Sequence, residues 1–226
     1  MEQNQKDELI EYHEQLVDFL ESKGDPKQSF CDYLCSIFEE QGHLDEYELT
    51  HYSDLSNPRE QMAVDAWNYN NTNNTLTLFI VDFRKGCDVS TSSKDDFTRH
   101  FKRLERFFNR SLSDNYATIF MAETPIGDLV DNIRKFSVPK AGAPALRVRL
   151  SYLTNSVLKT RTTHFEAGLL ANEIESSYEI CDLNRLFNIE MSGNAHEDIK
   201  IDFEEIGETG GLPALLASGS EGSLKS

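Results

Sequence analysis

The chain has 226 residues, of which 38% are hydrophobic, 27% charged and 10% aromatic; this is long and apolar enough to bury roughly 70% of the unfolded surface, and it lies outside the disordered range. The formal net charge of −17 repels phosphate at long range, which excludes a generic nucleic-acid binder acting through its total field. No apolar run approaches the ~20 residues that span a bilayer, and residues 1–8 are polar and acidic with no signal-peptide core, so the expectation is a cytoplasmic protein without a membrane segment.

Residues 5–23 carry Leu9, Ile10, Leu16, Val17, Phe19 and Leu20 at helical spacing and stop at Gly24. Asp25 as cap and Pro26 as first helical residue open a second helix, whose Phe30, Cys31, Leu34, Cys35, Ile37 and Phe38 form one stripe closed by Gly42. Cys31, Cys35, Cys87 and Cys181 are too few and too irregularly spaced for a disulfide framework or a metal site, which predicts reduced thiols with Cys31 and Cys35 packed inside. Residues 47–53 alternate weakly as a strand. Ala63, Val64, Ala66 and Trp67 then lead into the asparagine-rich stretch 70–74, and Leu76, Leu78, Phe79, Ile80, Val81 and Phe83 lead out. Asparagine tolerates the positive φ that a tight reversal needs, so this is a hairpin turned without glycine, and with 47–53 it makes a three-stranded antiparallel unit.

Ser92 or Ser93 with Asp95 or Asp96 three residues on forms a capping box in which Asp replaces Glu. The helix it opens buries Phe97, Phe101, Leu104 and Phe108 and turns out Arg99, Lys102, Arg103, Arg106 and Arg110. Ser113 and Asp114 open a short helix through Phe120, and Thr124 with Pro125 restarts a helix burying Ile126, Leu129, Val130 and Ile133. Leu146, Val148, Leu150 and Tyr152 alternate with Arg147, Arg149 and Ser151, a strand with one apolar and one basic face. A strand over about 177–181, a helix capped by Asp182 with Leu183, Leu186 and Phe187, and a last strand with Ile199, Ile201 and Phe203 complete the pattern.

This order predicts an α/β (α+β) class with a mixed sheet covered by helices and an N-terminal helical pair. It divides into a single module over 1–206, with a helical lead-in over 1–45 and a sheet-containing core over 46–206, followed by Gly/Ser-rich linker chemistry over 207–226. Residues 84–161 hold 15 basic against 8 acidic residues. That middle either forms a local basic patch or pairs with the acidic ends of the same fold.

The hairpin sets two carboxylates, Asp65 and Asp82, on neighbouring strands, as metal-dependent nucleases of the PD-(D/E)xK type do. The runs Arg59–Tyr69 and Thr75–Phe83, then Phe97–Phe108, Leu150–Asn155, Cys181–Phe187 and Ile199–Phe203 together resemble the N-terminal region of abortive infection phage-resistance (AIPR) proteins, over roughly residues 30 to 215. The resemblance implies a role in antiphage defence in bacteria. It also implies a larger region following this one, so the missing C-terminal region or a partner protein is the expected docking partner. Some relatives of the region resemble restriction-endonuclease-like modules, with Asp on the first strand and Gln-x-Lys or Glu-x-Lys on the next. Here Ile80 falls where the acid or Gln belongs and Asp82 where the Lys belongs. An aspartate opposes the developing phosphate charge that a lysine would stabilise, so the expectation is a degenerate, noncatalytic core.

Three readings follow. The nuclease reading places Mg²⁺ between Asp65, Asp82 and a helix acid, Glu39 or Glu40, and needs no other cofactor. The nucleic-acid reading merges Arg99, Lys102, Arg103, Arg106, Arg110, Arg147 and Arg149 into one phosphate-binding groove. The third is a protein-interaction module. The six histidines form no metal-binding pair, no Gly-x-Ser-x-Gly elbow occurs, and no Gly-rich loop joins a strand to a helix.

Overall fold

A computed structural model describes residues 2–115, 119–120, 124–139, 142, 144–159 and 168–194. The chain divides into the units Met1–Glu190 and Met191–Ser226. Helix α1 spans Glu2–Glu21. Helix α2, Pro26–Glu40, starts as its sequence dictates: the Asp25 carboxylate accepts from the Lys27 and Gln28 amides at 3.1 Å, Pro26 fills a position that needs no N–H, and Gly42 leaves with φ +72. Strands β1 (Tyr47–Asp54), β2 (Met62–Asn70) and β3 (Thr75–Asp82) form the expected antiparallel unit. Its hairpin turns on asparagines: Asn74 takes φ +51, and the Asn70 side chain accepts from the Thr72 and Asn73 amides.

A two-residue strand β4 (Thr91–Ser92) precedes α3 (Lys94–Ser111). The box is Ser93 with Asp96, each side chain bonded to the other's amide. Helix α4 (Pro125–Phe136) starts on Thr124, whose hydroxyl accepts from the Gly127 amide. Strands β5 (Arg147–Thr154), β6 (Val157–Leu158), β7 (Gly168–Leu169) and β8 (Glu175–Cys181) follow, then α5 (Leu183–Asn194), whose first turn is closed by the Asp182 carboxylate on the Arg185 amide at 3.0 Å. The short helix expected through Phe120 shows a turn at its start and otherwise lies largely outside the described residues, as do the strand expected at 199–203 and the segment 207–226.

The main sheet has six strands in the order β1-β2-β3-β5-β8-β7, parallel across β3-β5-β8 and antiparallel elsewhere; β4 and β6 pair separately. This is the expected mixed sheet of an α+β protein. Because β3 is central, its run of Leu76, Leu78, Phe79, Ile80 and Val81 is buried on both faces, as central parallel strands are. Alternation sends Leu76, Leu78 and Ile80, with Val148, Leu150 and Tyr152 of β5, into one core with Phe97, Phe101, Leu104 and Phe108 of α3 and Leu129, Val130 and Ile133 of α4. Phe79, Val81, Leu153 and Cys181 face the other way, onto Leu16, Leu20, Phe30, Leu34 and Phe38 of α1 and α2 and Leu183 and Leu186 of α5. Helices therefore cover both faces. Cys31, Cys35 and Cys181 are buried free thiols in this second core, and Cys87 is exposed. Among the described residues no helix is long and apolar enough to cross a membrane.

Candidate functional site

The two strand carboxylates do not meet. Asp65 Oδ1 lies 2.6 Å from Lys27 Nζ at the start of α2, and its Oδ2 accepts the Val81 amide at 2.7 Å. Asp82 Oδ2 accepts instead from the Tyr152 hydroxyl at 2.7 Å and from Arg84 Nη2 at 3.0 Å, beside the start of α3. One acid thus belongs to the α2 face of the sheet and the other to the α3 face.

The cause is local. Val64 packs in the α3-side core and Ala66 in the α2-side core although they are two residues apart, so the alternation of β2 breaks between them, at Asp65. Opposite the break, β1 carries a bulge between Leu49 and Tyr52 in which His51 takes φ +49. The β2–β3 ladder runs from Asn70↔Thr75 to Ala66↔Phe79 and stops. Past it the Asp65 carboxylate takes the place of a ladder carbonyl and caps the Val81 amide.

Charge follows from this geometry. Burial acts to raise the Asp65 carboxyl, but the His51 imidazole, the Lys27 ammonium and the Val81 N–H outweigh it and hold the group below the ordinary carboxylate value. His51 Nδ1 stands 3.8 Å from Oδ1, longer than an ordinary hydrogen bond. On the other face, burial followed by the Asp82 charge pushes the Tyr152 phenol up, so it stays a neutral donor. Arg84 also reaches the Thr91 carbonyl at 2.8 Å and lies 3.5 Å from Asp96. Its backbone is clamped to Asn155, whose amide group donates to Arg84 O and accepts from Arg84 N, both at 2.8 Å. Both clusters are internally paired arrangements that tie strands to helix starts. Although the Lys position of the nuclease pattern is held by Asp82, a cation from elsewhere in the chain pairs with each acid, Lys27 with Asp65 and Arg84 with Asp82.

Glu39 and Glu40 are exposed at the far end of α2. They stand twelve and thirteen residues from Lys27, roughly 20 Å along a helix rising 1.5 Å per residue, so they are not brought to Asp65. Among the described residues no three His, Cys, Asp or Glu side chains gather as a metal site.

The basic residues also divide. Arg147 and Arg149 alternate with the α3-side residues Val148 and Leu150, so they point to the α2 face, where they lie 3.8 Å from Glu175 and 3.9 Å from Glu179 of β8. Arg99, Lys102, Arg103, Arg106 and Arg110 ride on α3, on the other side of the sheet. The strand and helix cations therefore form no common groove. Arg99 pairs with Asp96 at 2.9 Å, and Arg103 donates to Gln61 at 2.8 Å. Lys102, Arg106 and Arg110, at i, i+4 and i+8, have no hydrogen bond or ion pair to another side chain among the described residues. Burial and the nearby Arg99 lower the pKa of Arg103, a sign of crowded positive charge.

Sequence reasoning missed Lys27, His51 and Arg84. Arg84 had a signal, since it lies two residues past Asp82. Lys27 and His51 had none, because their role depends on where α2 and the bulge dock.

Residues 30–188 match the model of the family described as the abortive infection phage resistance protein N-terminal domain. Neither a curated protein nor a solved structure matches the chain.

Proposed function

The chain belongs to the abortive infection phage resistance family through this N-terminal domain, and on that premise we propose that it is a noncatalytic module of an antiphage defence protein that works by contact, using the outer face of α3 against a polyanion. The observation that carries the reading is the stripe of Lys102, Arg106 and Arg110, whose charges are not spent inside the described fold. Like charges at i,i+4 cost a helix a few tenths of a kcal/mol each, and an external anion relieves that cost. A nucleic-acid backbone has the repeat of charge to match such a stripe, although the overall charge of −17 restricts binding to short range.

The noncatalytic part of the reading is supported by the fate of the candidate ligands. Asp65 and Asp82 sit in separate ion pairs on opposite sheet faces, with Glu39 and Glu40 remote from both. A two-acid metal clamp requires them together. The mixed sheet with helices on both faces is compatible with a restriction-endonuclease-like ancestry, which we place within the same proposal.

The test is a gel shift on duplex DNA and on RNA across a salt series. Binding that weakens steeply with salt, and whose salt slope falls when Lys102→Glu and Arg106→Glu are combined, is the expected result. Salt-insensitive binding, or none to either nucleic acid, rejects the nucleic-acid backbone as partner; an acidic protein surface then remains to be tried against the same double variant.

A further inference from the structure

We propose that a cleft on the α2 face of the sheet binds one phosphate-type oxyanion, with Arg149 and Arg185 as cationic walls and the hydroxyls of Thr77 and Ser151 as its floor. The cleft encloses about 90 Å³ between the end of α2 and the first turn of α5. That leaves room for a small oxyanion such as phosphate in a cleft open to solvent at its mouth.

The floor points to a ligand independently of the walls. Thr77 and Ser151 lie on the adjacent parallel strands β3 and β5, where Thr77 pairs with Arg149 and Phe79 with Ser151. They are 3% and 2% exposed and both line the cleft. Neither hydroxyl has a hydrogen-bond partner among the described residues; their cross-strand neighbours are Asn68 and Arg149 for Thr77, and Phe79 and Glu179 for Ser151. Both oxygens open into the cleft and are not among the buried unpaired atoms, so a bound oxyanion would accept from both in place of water.

The walls supply charge in a usable form. Glu179 stands between the two arginines: its Oε1 accepts from Arg185 Nη2 at 2.6 Å, while its Oε2 is 3.9 Å from Arg149 Nε, beyond hydrogen-bond reach. It anchors Arg185, which also donates to the Ile180 carbonyl. The terminal nitrogens of Arg149 make no bond among the described residues and remain a fork suited to an oxyanion. His43 lies at the same mouth. Two guanidiniums against one carboxylate leave the cleft cationic in a strongly acidic chain, and the carboxylate itself weakens any anion that enters.

Removing a cation or a floor hydroxyl and removing the carboxylate then change affinity in opposite directions. Isothermal titration of the whole chain with inorganic phosphate, and separately with adenosine monophosphate, at an ionic strength fixed with chloride, reads the site. Arg149→Gln and the nearly isosteric Thr77→Val each lower phosphate affinity about tenfold, whereas Glu179→Gln raises it. Lys94→Gln, at an exposed position of α3 on the other side of the sheet, leaves it unchanged. Equal affinity for both probes assigns a free oxyanion, and tighter binding of the monophosphate assigns a phosphate monoester. Absence of binding by either probe, unchanged affinity in Arg149→Gln with unchanged circular dichroism, or weaker binding in Glu179→Gln overturns the assignment.

Discussion

Replacing Lys27 by methionine keeps the aliphatic stem and removes the ammonium that faces Asp65. The Asp65 side chain is 3% exposed and that of Lys27 41%. Breaking a fully buried pair from one side costs about 3–5 kcal/mol, and an exposed pair under about 1 kcal/mol. With the acid buried and the ammonium partly in water, the expected loss lies near 2–3 kcal/mol, or roughly 5–10 °C in melting temperature for a unit of this size. Asp65→Asn should cost less, about 1 kcal/mol, because its amide oxygen still accepts the Val81 N–H and Lys27 swings into solvent. The order of the two losses is therefore the diagnostic, and the double variant should fall close to Asp65→Asn rather than to the sum. Urea denaturation at pH 7 measures all three. The folded carboxyl of Asp65 is held low, so its contribution is present above the ordinary carboxylate range and is lost as pH falls through the lowered value; Lys27→Met should flatten that acid limb. A Lys27→Met loss under about 0.5 kcal/mol, or a larger loss for Asp65→Asn than for Lys27→Met, would refute the claim that the pair is a buried structural tie.

Tyr152→Phe removes the hydroxyl that donates to Asp82 at 2.7 Å inside the α3-side core, and a loss of about 1–2 kcal/mol in the same denaturation assay is expected; no loss would mean Arg84 alone suffices. His13 and His100 are buried, and burial, partly countered by the Cys87 and Asp96 carbonyls, lowers both from 6.5. A lowered histidine stays neutral in the fold while the unfolded chain takes up protons, so stability should be flat above about pH 7 and fall as pH drops through 6.5. His13→Gln, which keeps an acceptor for the Asn155 amide, should shrink that slope, and an unchanged slope would contradict the assignment.

Much of the fold was legible because the signals were local. The Gly24 stop, the Asp25–Pro26 start, the Asn70–Asn74 reversal, the Ser93/Asp96 box and the Asp182 cap each encode a backbone event within a few residues. The alternation of Val148, Leu150 and Tyr152 likewise gave β5 its two faces correctly. What failed was the step from neighbouring strands to neighbouring side chains. Regular pairing sets Trp67 beside Leu78 and so would have put Asp65 on the face of Ile80 and Asp82. The β2 break and the β1 bulge turned it to α2 instead. Such irregularities arise from tertiary docking and leave no residue pattern. The same limit hid the separation of Arg147 and Arg149 from the arginines of α3, since a strand's basic face does not say which layer lies over it. Short β4, β6 and β7 were unreadable because two residues carry no periodicity.

On the proposed reading, Asp65 and Asp82 anchor two different layers and do not clamp one metal. A supercoiled-plasmid nicking assay with Mg²⁺ or Mn²⁺, run on the wild-type chain, Asp65→Asn and Asp82→Asn, tests it most directly. No metal-dependent nicking above background is expected in any of the three. Nicking by the wild type that both substitutions abolish, while circular dichroism and melting show the variants folded, would contradict it.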